Sequence, residues 1–321
     1  MRDSNARREK ASGVRILLSS HEEGTRGLVR AVLSQWDRPM FLFLASVSLI
    51  ALALILYFIL REAIPVFSGT TIQELLGPKW RPTYEADPHY GVLPMIGGTL
   101  LVTVGSMALA IPLGLAAATF IAEMAPGWLK DIAKTVLELL AGIPSVVYGF
   151  FGLMILSPYI RGSLGLLTGQ TALTASLLLA VMALPTIASL AEDALTAVPK
   201  SYREASAAMG ATHWETTWRV TIPSAFSGLI GAVILGMGRS VGETMAVLMV
   251  AGNSPQLTFS FLKSIRTLTS GIALDIAETP SGTTHFHALF FMAVVLLVIT
   301  LAMNWIAEWF RGRLAKGHLK R

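Results

Sequence analysis

Ser224-Ala-Phe-Ser-Gly-Leu-Ile-Gly-Ala-Val-Ile-Leu-Gly-Met-Gly-Arg-Ser-Val-Gly-Glu-Thr-Met-Ala-Val-Leu-Met-Val-Ala251 is the stretch that decides the fold class. Its Asp, Glu, Lys and Arg residues are limited to Arg239 and Glu243. It is also longer than the roughly 20 helical residues that cross the hydrocarbon core of a bilayer. The stretch is therefore predicted to be a transmembrane helix.

Small side chains recur at every fourth position of this stretch. Residues four apart lie on one face of a helix, and small side chains there let a second backbone approach closely. The stripe consists of Ser224, Gly228, Ala232, Gly236, Ser240 and Thr244, and Gly238 and Gly242 form a Gly-x-x-x-Gly pair beside it. We therefore expect this helix to pack at the centre of a helix bundle.

Arg239 and Glu243 are unusual because they lie within the apolar stretch. Each charge costs at least about 2.5 to 3.5 kcal/mol at the centre of a membrane helix. One interpretation is a structural ion pair, since residues four apart in a helix can meet. The other is a polar translocation path in which Arg239 meets a passing anion, because a guanidinium stays charged and offers several donors to an oxyanion. Ser240 and Thr244 are included in this predicted path.

The rest of the chain has the composition of a membrane protein. Apolar residues make up 53%, charged residues 14%, and the mean hydropathy is +0.62, whereas about 25% of a soluble domain is charged. These values exclude a soluble globular enzyme. Five further spans are predicted, which gives an all-α membrane protein with six transmembrane helices; the five are 41–60, 95–122, 135–158, 171–191 and 286–310.

The positive charges predict the orientation of the chain. Most Lys and Arg residues lie before the first span, after the last, and in the loops that face the same side as both ends. The positive-inside rule therefore places both termini in the cytoplasm of a multi-pass cell membrane protein. Residues 1–40 form a cytoplasmic segment with a candidate interfacial helix, 41–310 the transmembrane domain, and 311–321 a basic tail. The net charge of +5 is explained by this topology and by the lipid bilayer, so no nucleic-acid partner is expected.

The cytoplasmic loop 192–223 contains two short helical patterns that meet at Gly210. Glycine is the residue expected where one helix ends and the chain turns. Trp214 and Trp218 follow the turn, and such a helix pair can dock in a groove of another protein. A solvated connector is the alternative.

This loop resembles the EAA loop, E-A-A-x3-G-x9-I-x-L-P, of the binding-protein-dependent ABC importer permeases. Glu204, Ala205, Gly210 and Pro223 match the motif at its own spacing, and Ser206, Val220 and Ile222 are mild departures from it. Leu140-Ala-Gly-Ile-Pro-Ser-Val-Val-Tyr-Gly149 and Gly238-Arg-Ser-Val-Gly-Glu-Thr-Met-Ala-Val247 are similar to segments of the phosphate permease branch, PstC.

The resemblance implies the MetI-like fold of type I ABC importer permeases and ATP-driven import of inorganic phosphate by alternating access. It also implies four kinds of contact: a second permease subunit (PstA-like), two ATPase subunits (PstB-like), an extracytoplasmic phosphate-binding protein (PstS-like) and phosphate itself. In that family the EAA loop couples the permease to its ATPase, a role that falls here on Glu204, Ala205, Gly210 and Pro223. The charged pair of the family's fifth span corresponds to Arg239 and Glu243 in this sequence.

The sequence has no motif with which to hold ATP itself. A phosphate-binding loop, Gly-x-x-x-x-Gly-Lys-Ser/Thr, is missing from the 321 residues. We therefore expect no bound cofactor and no catalysis, with ATP used by the partner ATPase. Two alternatives remain open: a permease for another oxyanion such as sulfate or molybdate, and a gradient-driven anion carrier, against which the EAA spacing argues.

The extracytoplasmic segments give weaker signals. Trp80, Tyr84 and Tyr90 lie in the outer loop 61–94 and suit either an interfacial aromatic belt or contact with the binding protein. His285 and His287 lie near the start of the sixth span without a nearby Cys or carboxylate in sequence, so an interfacial role is predicted for them and a metal site is not.

Overall fold

The computed structural model describes residues 39–84 and 86–318. The candidate interfacial helix within 1–40 and the end of the tail, 319–321, lie outside the described residues, so these predictions stay untested. The contacts divide the chain into two units, Met1–Phe58 and Ile59–Arg321. In the first unit the described residues are helical, with exposed apolar side chains such as Phe43, Leu49 and Tyr57.

The described residues are mostly helical. The helices are α1 (39–63), α2 (Val66–Gly69), α3 (Ile72–Leu75), α4 (Leu93–Thr119), α5 (Gly127–Gly142), α6 (Ser145–Phe151), α7 (Ser157–Leu164), α8 (Ala172–Thr196), α9 (Lys200–Ala208), α10 (His213–Thr216), α11 (Ile222–Gly242), α12 (Met245–Val250), α13 (Leu268–Asp275) and α14 (Thr284–His318). The π-helical segments are Phe120–Met124, Gly152–Leu156 and Thr217–Thr221. In the outer loop, β1 (Trp80–Arg81) pairs antiparallel with β2 (His89–Tyr90).

The described residues contain five helices that are long and apolar enough to cross a membrane, and a bent pair that counts as a sixth. The five are Pro39–Gly69, Leu93–Met124, Ala172–Thr196, His213–Gly242 and Thr284–Trp309. The bent pair is Gly127–Gly142 with Ser145–Leu164, at an angle of 88°. The predicted all-α architecture with six spans is thus confirmed when the bent pair is counted as one.

Two of the predicted spans are wrong as continuous helices. The predicted third span is interrupted at Ile143, whose ψ of 130° is extended; Pro144 follows, and proline disfavours helical geometry in the residue before it. The predicted fifth span ends as α11 at Gly242 and restarts as α12 at Met245. The predicted loop 192–223 is also shorter than expected, because α8 continues to Thr196 and helix resumes at His213.

Helix α8 lies at the centre of the second unit, packed against α4 and α11. Its residue Ile187 is fully buried. A Cβ on Gly114 of α4 would lie 2.9 Å from Ile187 Cγ2, and a Cβ on Gly236 of α11 would collide with the same side chain. Glycine at both positions therefore lets the two helices approach α8 closely.

The start of α8 is joined to a distant part of the chain. The N–H of Ala172 donates to the carbonyl of Lys263 at 3.0 Å, and that of Leu173 to Phe261 at 2.7 Å. Ser264 Oγ also donates to the carbonyl of Gln170 at 2.6 Å. The first two bonds satisfy helix-terminal donors that have no partner within the helix.

Helices α6 and α12, each following a break in its span, pack against each other. A Cβ on Gly149 of α6 would lie 3.0 Å from the Cα of Ala246 in α12. A Cβ on Gly152 would lie 2.9 Å from Val250 of α12 and 2.9 Å from Leu178 of α8. The second halves of the two broken spans, α6 and α12, thus pack together against α8.

Candidate functional site

Arg239 lies in the last turn of α11 and is half-buried. Its Nη1 donates to the Oγ1 of Thr186 at 3.2 Å. Thr186 follows Pro185 inside α8. The described contact of this guanidinium is therefore a neutral hydroxyl on the central helix.

Glu243 lies at the break between α11 and α12, with a ψ of 125°. Its Oε1 accepts from the N–H of Ala246 at 3.2 Å, and its carbonyl accepts from Thr269 Oγ1 at 2.9 Å. The side chain thus satisfies a donor in the first turn of α12, as a capping residue does. The helical spacing that would have brought Arg239 and Glu243 together ends at Gly242, and the two side chains turn to different partners.

The other two predicted path residues are separated by this break. Ser240 is 5% exposed, and its hydroxyl has no hydrogen-bond partner among the described residues. Thr244 lies beyond the end of α11, where its Oγ1 donates to the carbonyl of Gly242 at 3.3 Å. The small-residue stripe therefore ends at Ser240 as a helical face.

Tyr148 of α6 lies within electrostatic range of Arg239. Its hydroxyl donates to the carbonyl of Leu140 at 2.9 Å and so bridges the 88° bend. Sequence reasoning missed both Tyr148 and Thr186. The available signals were a polar residue directly after an in-span proline, and a tyrosine just beyond the Pro144 bend.

The predicted packing glycines fall into two groups. Gly228 and Gly236 face α8: a Cβ on Gly228 would lie 2.5 Å from Ala194 Cβ, and Ala232 between them is 2% exposed. Gly238 and Gly242 differ, because among the described residues no atom lies within 4 Å of a Cβ added at either. The described chain therefore places no neighbouring helix close against the Cα atoms of this Gly-x-x-x-Gly pair.

The predicted coupling segment, by which we mean α9, α10 and the turn between them, forms the helix pair expected from the sequence. Helix α9 carries Glu204 and Ala205 on its exposed surface, and Gly210 turns the chain with a φ of +84°. Thr212 and Glu215 then form a capping box that starts α10. Gly210 thus meets its prediction, since a positive φ is the conformation that favours glycine.

The coupling segment continues directly into the membrane helix. Trp214 and Trp218 are 55% and 53% exposed, with ring centroids 5.6 Å apart. The helix runs through the π-segment Thr217–Thr221, and Pro223 lies in the first turn of α11 instead of closing a loop. Proline is tolerated in a first turn because its missing N–H has no helical partner there. A displacement of α10 therefore reaches the Arg239 helix without an intervening linker.

The loops predicted to face outward contain a buried polar cluster. Asp275 accepts from Trp80 Nε1 at 3.1 Å and pairs with Arg266 at 3.3 Å, and His285 Nε2 lies 3.7 Å from the same carboxylate. Burial raises the pKa of Asp275, but His285, the Arg266 charge and the Trp80 hydrogen bond outweigh it and hold the pKa below its usual value. Trp80 is 3% exposed and belongs to this core, so the belt interpretation is wrong for it. A cavity of about 1040 Å³ adjoins the cluster.

His287 is also tied to the protein. Its Nδ1 lies 2.7 Å from the carbonyl of Glu62. His285 and His287 thus serve two separate contacts on the outer side of the second unit.

Comparison with known protein families identifies the family of this chain. The model of the "Binding-protein-dependent transport system inner membrane component" family matches residues 110–316. This chain is a binding-protein-dependent transport permease. The permease family therefore covers the bent third span, the coupling segment and the Arg239 helix together.

Curated relatives of the permease agree with this assignment. It is 44% identical to the "Probable ABC transporter permease protein YqgH" of Bacillus subtilis, over 75% of this chain and 78% of that one. It is 36% identical to the "Phosphate transport system permease protein PstC" of Xylella fastidiosa strain Temecula1, over 74% and 78% of the two chains. The corresponding PstC 1 of Mycobacterium tuberculosis is 37% identical over 71% and 74%. The predicted resemblance to the PstC branch is confirmed.

Solved structures confirm the fold of the permease. An inward-facing MetNI methionine ABC transporter matches with a TM-score of 0.56 at 19% identity, over 70% of this chain and 97% of that one. A bacterial alginate ABC transporter matches with a TM-score of 0.57 at 13% identity, over 84% and 95%. The MetI-like permease fold is therefore established.

Proposed function

We propose that this permease is the membrane-embedded subunit of an ATP-driven importer that moves inorganic phosphate into the cytoplasm. The observation that carries the proposal is Arg239, a guanidinium within a membrane span that is held by the neutral hydroxyl of Thr186. Desolvating a phosphate anion without a countercharge would cost many kcal/mol, so a cation in the path is physically required. Relatives named as phosphate transport permeases support phosphate as the anion.

The Arg239 site acts on the anion in transit. In the resting state the Thr186 hydroxyl restrains the guanidinium, and a phosphate at this level receives the remaining N–H donors of Arg239. Glu243 keeps the break after α11 in place through Ala246 and Thr269, and Ser240 and Thr244 flank it. These residues constitute the proposed substrate path.

ATP hydrolysis takes place on partner chains in this proposal. A loaded extracytoplasmic phosphate-binding protein docks on the outer loops, two ATPase subunits engage the coupling segment, and a second permease subunit completes the pathway. The exposed side chains of Glu204 and Ala205 on α9 support this role for the coupling segment. Both termini lie in the cytoplasm, as the distribution of Lys and Arg predicts. The permease itself binds no cofactor and catalyses no reaction.

The decisive experiment is uptake of radiolabelled phosphate by proteoliposomes that contain the permease with its neighbouring subunits and binding protein. Uptake should require ATP, survive an uncoupler and resist excess sulfate and molybdate. Competition by sulfate or molybdate would assign another oxyanion. Uptake that is lost with the ion gradient and persists without ATP would instead indicate a secondary carrier.

A further inference from the structure

Glu123 ends the second span at the cytoplasmic end of the permease. It lies in the π-helical segment Phe120–Met124 that extends α4, and its carboxylate side chain is 3% exposed. Pro126 follows at the start of the next turn and has no N–H to donate. The carbonyl of Glu123 is therefore one of the helix-terminal acceptors that need a partner from elsewhere.

Helix α9 of the coupling segment supplies a partner for the carboxylate. Arg203 Nη2 donates to Glu123 Oε1 at 2.8 Å and to the carbonyl of Leu195 at 2.9 Å. Arg203 Nη1 donates to the carbonyl of Val198, also at 2.9 Å. One planar guanidinium thus joins α9 to the end of α4 and to the end of α8, a geometry that a lysine ammonium does not reproduce.

Helix α10 supplies the partner for the carbonyl. His213 Nε2 lies 2.7 Å from the backbone oxygen of Glu123. A carbonyl oxygen accepts and cannot donate, so Nε2 carries the proton in this contact. Both helices of the coupling segment therefore converge on a single residue of the second span.

A second set of ion pairs joins α5 to α8 next to this point. Lys130 Nζ lies 2.7 Å from Glu192 Oε1, and Lys134 Nζ lies 2.7 Å from Asp193 Oδ1. The side chain of Glu192 is 2% exposed. The ends of α5 and α8 are thus joined by ion pairs that include the buried Glu192 carboxylate, and Arg203 joins Glu123 to the end of α8, so a force applied at Glu123 reaches α4, α5 and α8.

We infer that Glu123 is the positioning residue through which α9 and α10 move the second span, so that the ATPase stroke reaches α4 as well as α11. The identity of the transported anion in this inference rests on the proposed function. The transmission of movement through Glu123 does not. A buried carboxylate held by a charge-assisted bond resists separation from its partner, because separation leaves the charge unpaired. The Arg203–Glu123–His213 contact, which we name the coupling joint, therefore moves as one body.

The test compares phosphate moved per ATP hydrolysed in the reconstituted complex. Glu123→Ala and Arg203→Ala should lower this ratio about tenfold, the effect expected when a hydrogen bond to a charged group is lost. Arg203→Lys should give a ratio close to that of Arg203→Ala, because one ammonium cannot span three acceptors. His213→Gln should give a higher ratio than His213→Ala. Asp131→Asn, an exposed carboxylate on α5, is the matched control. Normal ratios in both alanine variants would overturn the inference.

A conformational readout separates failure of the joint from failure of the proposed cargo. The chain contains no cysteine, so Ser201→Cys on α9 and Val104→Cys on α4 can carry a unique pair of spin labels. The distance distribution between them should stay narrow when a non-hydrolysable ATP analogue is added, and should broaden in Glu123→Ala. A distribution equally narrow in Glu123→Ala refutes the joint even if phosphate is carried. Failure of wild-type phosphate uptake with a narrow distribution refutes the cargo alone.

Discussion

The guanidinium of Arg239 donates to the hydroxyl of Thr186 at 3.2 Å, across the interface between α11 and the central helix α8. This contact holds the charge in place without neutralising it. A carboxylate partner would compete with an incoming anion for the same donors, whereas a hydroxyl can reorient and donate to the anion itself. The pair thus represents a charged site that is restrained and still able to receive a ligand.

Replacing Arg239 with glutamine should abolish phosphate uptake in the reconstituted complex. The variant should assemble normally, because removing a charge from a membrane helix lowers its insertion cost by about 2.5 to 3.5 kcal/mol. Arg239→Lys should retain a fraction of the activity, since it keeps the charge and loses the fork of donors. Arg161→Gln, at an exposed position of α7, is the control. Intact uptake in the glutamine variant would leave Arg239 with a structural role.

Replacing Thr186 with valine should reduce the rate of uptake about tenfold while the complex still assembles. Valine has nearly the same shape as threonine and lacks the hydroxyl, so the effect isolates the bond to Arg239. Thr186→Ser keeps the hydroxyl and should transport at close to the normal rate. Initial uptake rates over a range of phosphate concentrations measure this. Equal rates in the valine and serine variants would contradict the prediction.

Replacing Gly236 with alanine should destabilise the permease by about 1 to 3 kcal/mol, as overpacking of a close helix interface does. The added Cβ would collide with the branched carbon side chain of Ile187. Gly238→Ala is the matched control on the same helix, because an added Cβ there meets no described atom within 4 Å. Thermal unfolding of the two variants in detergent makes the comparison. Equal Tm values would mean that α8 and α11 can separate without cost.

Replacing Gly210 with alanine should strain the coupling segment by about 1 to 2 kcal/mol, because its φ of +84° is unfavourable for a residue with a Cβ. The variant should hydrolyse ATP with less transport, since the strain falls on the turn between α9 and α10. Gly210→Asn should be milder, as asparagine tolerates this region better than alanine. Gly127→Ala, a glycine without a positive φ, serves as the control. Transport per ATP in the three variants is the measurement.

Asp275 should give the outer cluster an acid-dependent stability. Its folded pKa lies below the usual value, so its contribution is complete above about pH 4 and is lost as the pH falls through the lowered pKa. The protection factors of residues 80–84, 86–90 and 268–285, which are exchange rates corrected for the intrinsic rate at each pH, should therefore fall on acidification in the wild-type chain. Asp275→Asn should exchange faster already at neutral pH and change less with acid. An identical acid response in both proteins would rule out Asp275 as the source.

Periodicity and composition were sufficient to predict the all-α membrane class, the set of spans and the turn at Gly210. These features depend on local properties: apolar runs long enough to cross a bilayer, and a glycine where the chain must reverse. The EAA spacing added the family, and the structure places Glu204 and Ala205 on α9, Gly210 at the turn after it and Pro223 in the first turn of α11. The coupling segment was thus largely accessible from the sequence.

The breaks in the spans and the partners of the charges were not accessible. Gly242 and Glu243 lie inside a stretch that is otherwise apolar and helical in pattern, and the helix ends there because the Glu243 carboxylate and the Thr269 hydroxyl offer the backbone other hydrogen bonds. Thr186 is 53 positions from Arg239 in the chain, and several other in-span hydroxyls were equally plausible partners. Contacts of this kind are set by tertiary packing, for which a single sequence contains no local signal.

The link between the start of α8 and residues 261–264 has a consequence for how the protein is made. The N–H groups of Ala172 and Leu173 receive their acceptors from Lys263 and Phe261, residues that leave the ribosome after the whole of the fifth span. Until then the two N–H groups at the start of the fourth span lack these acceptors. Assembly of this permease therefore includes a late closure over the first turn of α8, and a nascent chain truncated before Phe261 should remain open to proteases there.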